Sequence, residues 1–277
     1  MKKILVTTDL SNNSKTVVRF AIQLASQAPY ELTFYHADTS FIIDPYAAVT
    51  FVDIPPTDNK VQQKELIKFV NTLYKQTGKV PGKINFIAES RLDVSSAVID
   101  CAAKIKADYI CIGTRGGGLI NKLLGSHASR ILSESPVPIF VVPRYYRVKP
   151  LKSILYPSDI ENFPHEIQLV KKFSALFDAA ISVYHYDYFS NEKQIKNKLN
   201  DIERKFQSEK ITFYFKKLST ENSLLKNLQI DIIITKPSII IMFTKEDRTW
   251  FEQLLQSVKT AEKGFDTRTP MLVYRKE

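Results

Sequence analysis

Two stretches 150 residues apart constrain the fold more than any other feature. Ile4-Leu5-Val6-Thr7-Thr8-Asp9 lies over Ile154-Leu155-Tyr156-Pro157-Ser158-Asp159, each an apolar strand closed by an aspartate. Four further matches follow in the same order. Tyr35-His36-Ala37-Asp38 sits over Tyr184-His185-Tyr186-Asp187, and the run from Lys106 to Thr114 over that from Lys236 to Thr244. Leu123-Leu124-Gly125-Ser126 sits over Leu254-Leu255-Gln256-Ser257, and the run from Pro138 to Val142 over that from Pro270 to Tyr274. Ordered self-similarity of this kind marks a duplication. Each copy is of ordinary domain size, which predicts two units, 1–146 and 147–277.

Within the first copy, strands near 3–8, 31–37, 83–88, 108–113 and 137–142 alternate with helices near 14–27, 58–77, 93–106 and 126–134. The first helix carries Val17, Val18, Ala21, Leu24 and Ala25 on one face. Continuously apolar strands suit a parallel sheet covered on both sides. With right-handed crossovers, this predicts an α/β fold of two Rossmann-like, doubly wound parallel sheets in tandem. Such sheets bind ligands beyond the C-terminal strand ends, where the strand order reverses. Asp9 and the segment after the fourth strand would meet there.

That segment is rich in glycine. Gly113-Thr114-Arg115-Gly116-Gly117-Gly118, followed by Gly125-Ser126-His127-Ala128, holds five of the eight glycines in the chain. Glycine admits positive φ and close approach to the main chain. Placed between an apolar strand and a helix N-terminus, it suggests a cradle for an anion, with phosphate as the natural guest. Ser126 can cap the helix and offer a hydroxyl. On the residues alone, a connector that binds nothing explains the same stretch.

Composition excludes several classes. The apolar run Ile4-Leu5-Val6 after Met1-Lys2-Lys3 is stopped by Thr7, Thr8 and Asp9, so it reads as a first strand and not an export signal. No apolar run reaches the roughly 20 residues of a membrane span, and a cytoplasmic protein is expected. Cys101 and Cys111 stand among apolar neighbours as small hydrophobes, and no disulfide is expected. The four histidines lack metal-ligand spacing, so no protein-built metal site is expected. The net charge of +10 is dispersed. Residues 1–146 carry 17 basic and 12 acidic side chains and residues 147–277 carry 22 and 17, so each copy has +5. No nucleic-acid motif accompanies the lysines. A solvated surface with a weak attraction for anionic ligands is expected, with neither nucleic acid nor membrane as partner.

In strand order, repeat, the aspartate ending strand one and the glycine loop, the chain resembles the universal stress protein family in its tandem form, over essentially its whole length. The resemblance implies the adenine nucleotide alpha hydrolase-like fold and ATP, with Mg²⁺ accompanying it. The nucleotide-binding pattern of that family is Gly-x2-Gly-x9-Gly-Ser/Thr; here Gly113-x2-Gly116-x8-Gly125-Ser126 is one residue shorter. Carried over, it implies that Asp9, His36 and Ala37 line the adenosine pocket. Gly113, Thr114, Arg115, Gly116, Gly125, Ser126, His127 and Ala128 would surround the phosphates. The resemblance also implies an internal pseudo-dimer in which segments 137–142 and 269–274 associate face to face, and it allows a homodimer.

In the second copy, Phe243, Glu246 and Gln256 replace Gly113, Gly116 and Gly125, and Glu246 and Asp247 would repel a phosphate. One nucleotide per chain is therefore expected. Several first-copy residues have local readings besides these. Asp9 can cap the turn before the first helix, and His36, matched by His185, reads as a structural feature of the strand-two exit. His127 reads as an exposed helix residue or a phosphate contact, and Arg115 as a partner of phosphate, Asp38 or Glu134. Segment 39–57, with Phe41, Tyr46 and Phe51 among prolines, reads as a nucleotide lid or as packing for the second copy.

Three functions follow: a nucleotide-dependent regulator, a stress protein acting through protein contacts alone, and an enzyme on the same sheet. The last lacks the His-x-Gly-His and Ser-Gly-Gly-x-Asp-Ser signatures and ranks lowest. No dedicated catalysis is expected, although slow ATP turnover is compatible with Asp9 and His127.

Overall fold

Apolar strands separated by amphipathic helices build one ten-stranded sheet. The computed structural model describes residues 1–38, 59–114, 126–158, 160, 162–187, 204, 206, 210–218, 224–244 and 268–276. In the first copy β1 (Lys2–Thr7), α1 (Lys15–Gln27), β2 (Tyr30–Asp38), α2 (Asn59–Thr77) and β3 (Ile84–Ser90) follow one another. Then come α3 (Val94–Ile105), β4 (Tyr109–Gly113), α4 (Ser126–Glu134) and β5 (Ile139–Val142). The second copy supplies β6 (Ser153–Pro157), α5 (Phe163–Ala175), β7 (Ala180–Asp187) and β8 (Ile211–Lys217). Helix α6 (Leu224–Thr235), β9 (Ile239–Thr244) and β10 (Met271–Arg275) complete it.

The strand order is β3-β2-β1-β4-β5-β10-β9-β6-β7-β8. Neighbours pair in parallel, except that β5 and β10 pair antiparallel with Met271 opposite Val141, Leu272 opposite Phe140 and Val273 opposite Ile139. The two last strands therefore join edge to edge, not face to face. Each would otherwise present an unpaired apolar edge; the ladder closes both at once. Because the join is antiparallel, the C-terminal strand ends of the two copies lie at opposite edges of the sheet.

Alternation along the strands sends Ile4 and Val6 to one face and Leu5 to the other. The first face packs α1, α2 and α5, with Val17, Leu24, Leu66, Val70, Ile167 and Phe173. The second packs α3, α4 and α6, with Val98, Ala102, Ile131, Leu228 and Ile232. Both apolar layers run without a break across the β5–β10 seam. Helix α2 shows why its sequence folds this way: Gln62, Leu66, Val70, Leu73 and Tyr74 fall on one buried stripe at helical spacing.

The duplication extends to single hydrogen bonds. Thr8 N donates to Tyr35 O at 2.9 Å and Ser158 N to Tyr184 O at 2.8 Å; Asp108 N donates to Lys3 O and Ser238 N to Ser153 O, both at 2.9 Å. Leu10 (φ 59) matches Ile160 (φ 70), and Lys106 (φ 54) matches Lys236 (φ 47), all in the left-handed region. A β-branched isoleucine there is strained, and it persists because Ser158 Oγ accepts the Ile160 N–H at 3.1 Å.

Phe140 ties the copies together. Its ring lies 5.6 Å from Phe20, 5.1 Å from Tyr109 and 5.9 Å from Phe173 of the second copy. Phe140→Ala is predicted to cost about 3–5 kcal/mol, and denaturant unfolding followed by fluorescence and circular dichroism should show both copies lost in one shifted transition. Two separate transitions, with only the first shifted, would contradict a shared core.

Candidate functional site

In the first copy the chain lays β1, β2 and β3 outward in one direction, then starts again at β4 on the other side of β1. The sheet order therefore reverses between β1 and β4. Thr8, just past β1, organises this end. Its hydroxyl accepts the Leu10 N–H at 3.0 Å and shares a hydrogen bond with Ser14 Oγ at 2.8 Å, and its carbonyl lies 2.9 Å from His36 Nδ1. A carbonyl only accepts, so Nδ1 carries the proton and Nε2 is the acceptor of the neutral ring. His185 repeats the arrangement on Ser158 O at 2.9 Å. The two histidines are thus matching ties between the exits of the first two strands of each copy.

Asp9 is exposed at the same end, and its Oδ1 accepts the Ser11 N–H at 3.0 Å, an Asx turn that leads the chain toward α1. Partial desolvation works to raise its pKa, but hydrogen bonds from Ser11 and Ser14 outweigh it and hold the carboxyl below the ordinary aspartate value. Asp9 is a carboxylate at neutral pH. It can accept from ligand hydroxyl or amino groups but would repel phosphate.

Gly113 ends β4, and a Cβ there would stand 2.8 Å from Val17 Cγ2. Any side chain here would have to displace the Val17 methyl of α1, which favours glycine without a ligand. Thr114 N donates to Val142 O at 3.0 Å, so the ladder continues to the brink of the loop. Arg115, Gly116 and Gly125, and the segment 39–57, lie outside the described residues. The backbone of Ser126 opens α4. Ala37 is half-buried beside the second apolar layer, and Ala128 is buried within it.

His127 is exposed, with Nδ1 3.0 Å from Ser95 Oγ in the first turn of α3. It neighbours a clasp that the glycine-loop pattern does not mark. Asp93 caps α3 by accepting the N–H groups of Ser95 and Ser96, and its carboxylate meets Arg130, which also binds Glu134 at 2.8 Å. The Ser96 hydroxyl above all, despite some desolvation, and Arg130 with it, hold the Asp93 carboxyl down to about 2. The signal was an aspartate immediately before an apolar helical run, an N-cap pattern. Glu134, weighed as a partner for Arg115, is engaged by Arg130.

The corresponding end of the second copy is filled. Tyr156, Phe243 and Tyr274 stand where the first copy has Val6, Gly113 and Val142. The rings of Tyr156 and Phe243 meet edge-on at 5.6 Å, and those of Phe243 and Tyr274 stack at 5.0 Å. Phe163 stacks on Tyr156 at 6.3 Å. The Tyr156 hydroxyl donates to buried Glu166, whose other oxygen lies 3.5 Å from Lys276 Nζ. Of the replacements at the glycine positions, Phe243 is described; Glu246 and Gln256 lie outside the described residues.

The universal stress protein family model matches residues 1–143. No curated protein matches the chain in sequence. Among solved structures, a universal stress protein from Archaeoglobus fulgidus DSM 4304 is similar over 99% of this chain and 98% of its own, with TM-score 0.69 and 14% identity. A functionally unknown protein from Pseudomonas aeruginosa PAO1 is similar over 99% and 92%, with TM-score 0.63 and 14% identity. The cytoplasmic domain of a prokaryotic cation chloride cotransporter is similar over 98% and 94%, with TM-score 0.53 and 6% identity. At these identities the likeness is one of fold.

The contact between Gly113 and α1 is directly testable. Gly113→Ala is predicted to destabilise by about 1–3 kcal/mol through overpacking. Because Val17 carries the colliding methyl, Val17→Ala combined with Gly113→Ala should cost less than the two single changes together. Additive losses in denaturant titrations would show that the glycine is not held by this contact.

Proposed function

The chain belongs to the universal stress protein family, and we propose that its first unit, residues 1–146, binds one ATP while the second, residues 147–277, binds none. Occupancy of the first unit then alters how the protein engages a partner. The observation that carries this reading is the contrast between equivalent strand ends: Asp9, Thr8 and Thr114 around an end with glycine at position 113, against Tyr156, Phe243 and Tyr274 packed on one another.

The donor set fits an adenine nucleotide. Asp9, ionised and acceptor-only, would take the ribose hydroxyls or the base amino group. The glycine stretch would take the phosphates with its backbone N–H groups, leading into the N-terminus of α4. Among the described residues no group of three or more His, Cys, Asp or Glu is placed to hold a metal. Mg²⁺ would arrive on the phosphates. In this reading the protein is a stress-response regulator without dedicated catalysis, and any hydrolysis is slow. No helix among the described residues is long and apolar enough to cross a membrane.

A second reading, a scaffold that binds no nucleotide, draws on two observations. Gly113 is explained by Val17, and His36 is committed to Thr8, so neither needs a ligand.

Calorimetry with ATP and Mg²⁺ separates the readings. One site per chain is predicted, lost in Gly125→Glu and weakened roughly tenfold or more in Asp9→Ala, the worth of a hydrogen bond to a charged group. Two equivalent sites, or binding that survives Gly125→Glu, would contradict the proposal. A flat titration, with no nucleotide released from the purified protein on denaturation, would favour the scaffold.

A further inference from the structure

Helices α3 and α6 are equivalent, each ending in a left-handed lysine at Lys106 and Lys236, yet their outward faces differ in kind. Where α3 shows Asp100, Ala103 and Lys104 to solvent, α6 shows Ile230, Ile233 and Ile234, which are 41%, 48% and 70% exposed. Spaced i, i+3 and i+4, these form one ridge, the stripe that a surface helix ordinarily turns inward.

The helix cannot roll to hide them. Leu228 and Ile232 are buried in the sheet's second apolar layer. Asp231, also buried, accepts the Tyr186 hydroxyl at 2.8 Å and pairs with Lys216 at 3.2 Å. Rotation would break these bonds and leave a buried carboxylate uncompensated. The three isoleucines are thus fixed toward water, in the copy whose strand end is filled by aromatic rings.

We propose that this face of α6 docks an amphipathic helix of a partner protein whose apolar stripe is bordered by carboxylates. The proposal rests on the partner-contact element of the function proposed above. Spacing argues for a helical occupant, since a ridge at i, i+3 and i+4 seats in the groove of another helix. Charge argues for an acidic one. Exposed Lys226 lies one turn before Ile230 on the same face, exposed Lys236 lies just beyond Ile234, and the whole chain carries +10. A second copy of this chain would bring the same cations against each other and add a like net charge, which opposes self-association.

The test uses the full chain and a labelled 15-residue peptide with leucines at i, i+3, i+4 and i+7 flanked by glutamates, alongside the same peptide with lysines for glutamates. Fluorescence anisotropy follows binding. The variant Ile230→Asp with Ile233→Ala and Ile234→Lys restores the residues of α3; all three sites are exposed, and an unchanged melting curve checks the fold. The acidic peptide is expected to bind the native chain at least tenfold more tightly than the basic peptide, and at least tenfold more tightly than it binds the variant. Equal affinity for the two peptides or for the two proteins would overturn the proposal, as would no binding up to about 1 mM, the weak end of useful affinity. Sedimentation showing a dimer of the native chain that the variant loses would also overturn it, making a second copy the occupant. ATP calorimetry on the same variant reads the first unit independently. Loss of the nucleotide reading would appear there and leave the peptide result standing.

Discussion

The antiparallel pairing of β5 with β10 is the interaction on which the rest of the molecule depends. A parallel sheet of five strands ends at an apolar edge strand, here Ile139–Val142 in one copy and Met271–Arg275 in the other. Pairing these edges fuses two sheets into one and lets both apolar layers run through the seam. It also fixes direction. With the strands of the two copies opposed, their C-terminal ends lie at opposite edges of the sheet. The two ends differ in the side chains they carry.

That divergence is written in side-chain volume. At three matched positions Val6, Gly113 and Val142 correspond to Tyr156, Phe243 and Tyr274, and the second end has become an extension of the core, closed by packed rings and by the buried Tyr156–Glu166–Lys276 contacts. Backbone detail nonetheless survived. The left-handed residues at 10 and 160 and the histidine ties at 36 and 185 are the same device in both. What was kept is what holds strand one to strand two; what changed is the side-chain volume packed beneath the strand ends, where Val6 and Val142 are themselves buried.

Much of this was legible in the sequence because it rests on short-range pattern. Continuous apolar runs and period-3.6 spacing placed the strands and helices of the first copy within a residue or two, and the matched aspartates and histidines revealed the repeat. The antiparallel sense of the β5–β10 join was not legible. Both segments read as apolar edges, and edges can meet in more than one way until a register is chosen. Two further features depended on proximity between distant residues: the Val17 methyl that favours glycine at 113, and the clasp from Asp93 through Arg130 to Glu134. The isoleucines of α6 were visible as letters, but their exposure follows only from Asp231 being pinned inward by Tyr186 and Lys216.

In the function proposed above, one sheet carries two equivalent ends of which only the first responds to a nucleotide. Hydrogen exchange followed by mass spectrometry, with and without ATP and Mg²⁺, reads both ends in one experiment. Slowed exchange is predicted across residues 113–128, with residues 243–258 unchanged. Equal protection in both stretches would mean that Phe243 and its aromatic neighbours do not close the second end, and that one nucleotide per chain is wrong.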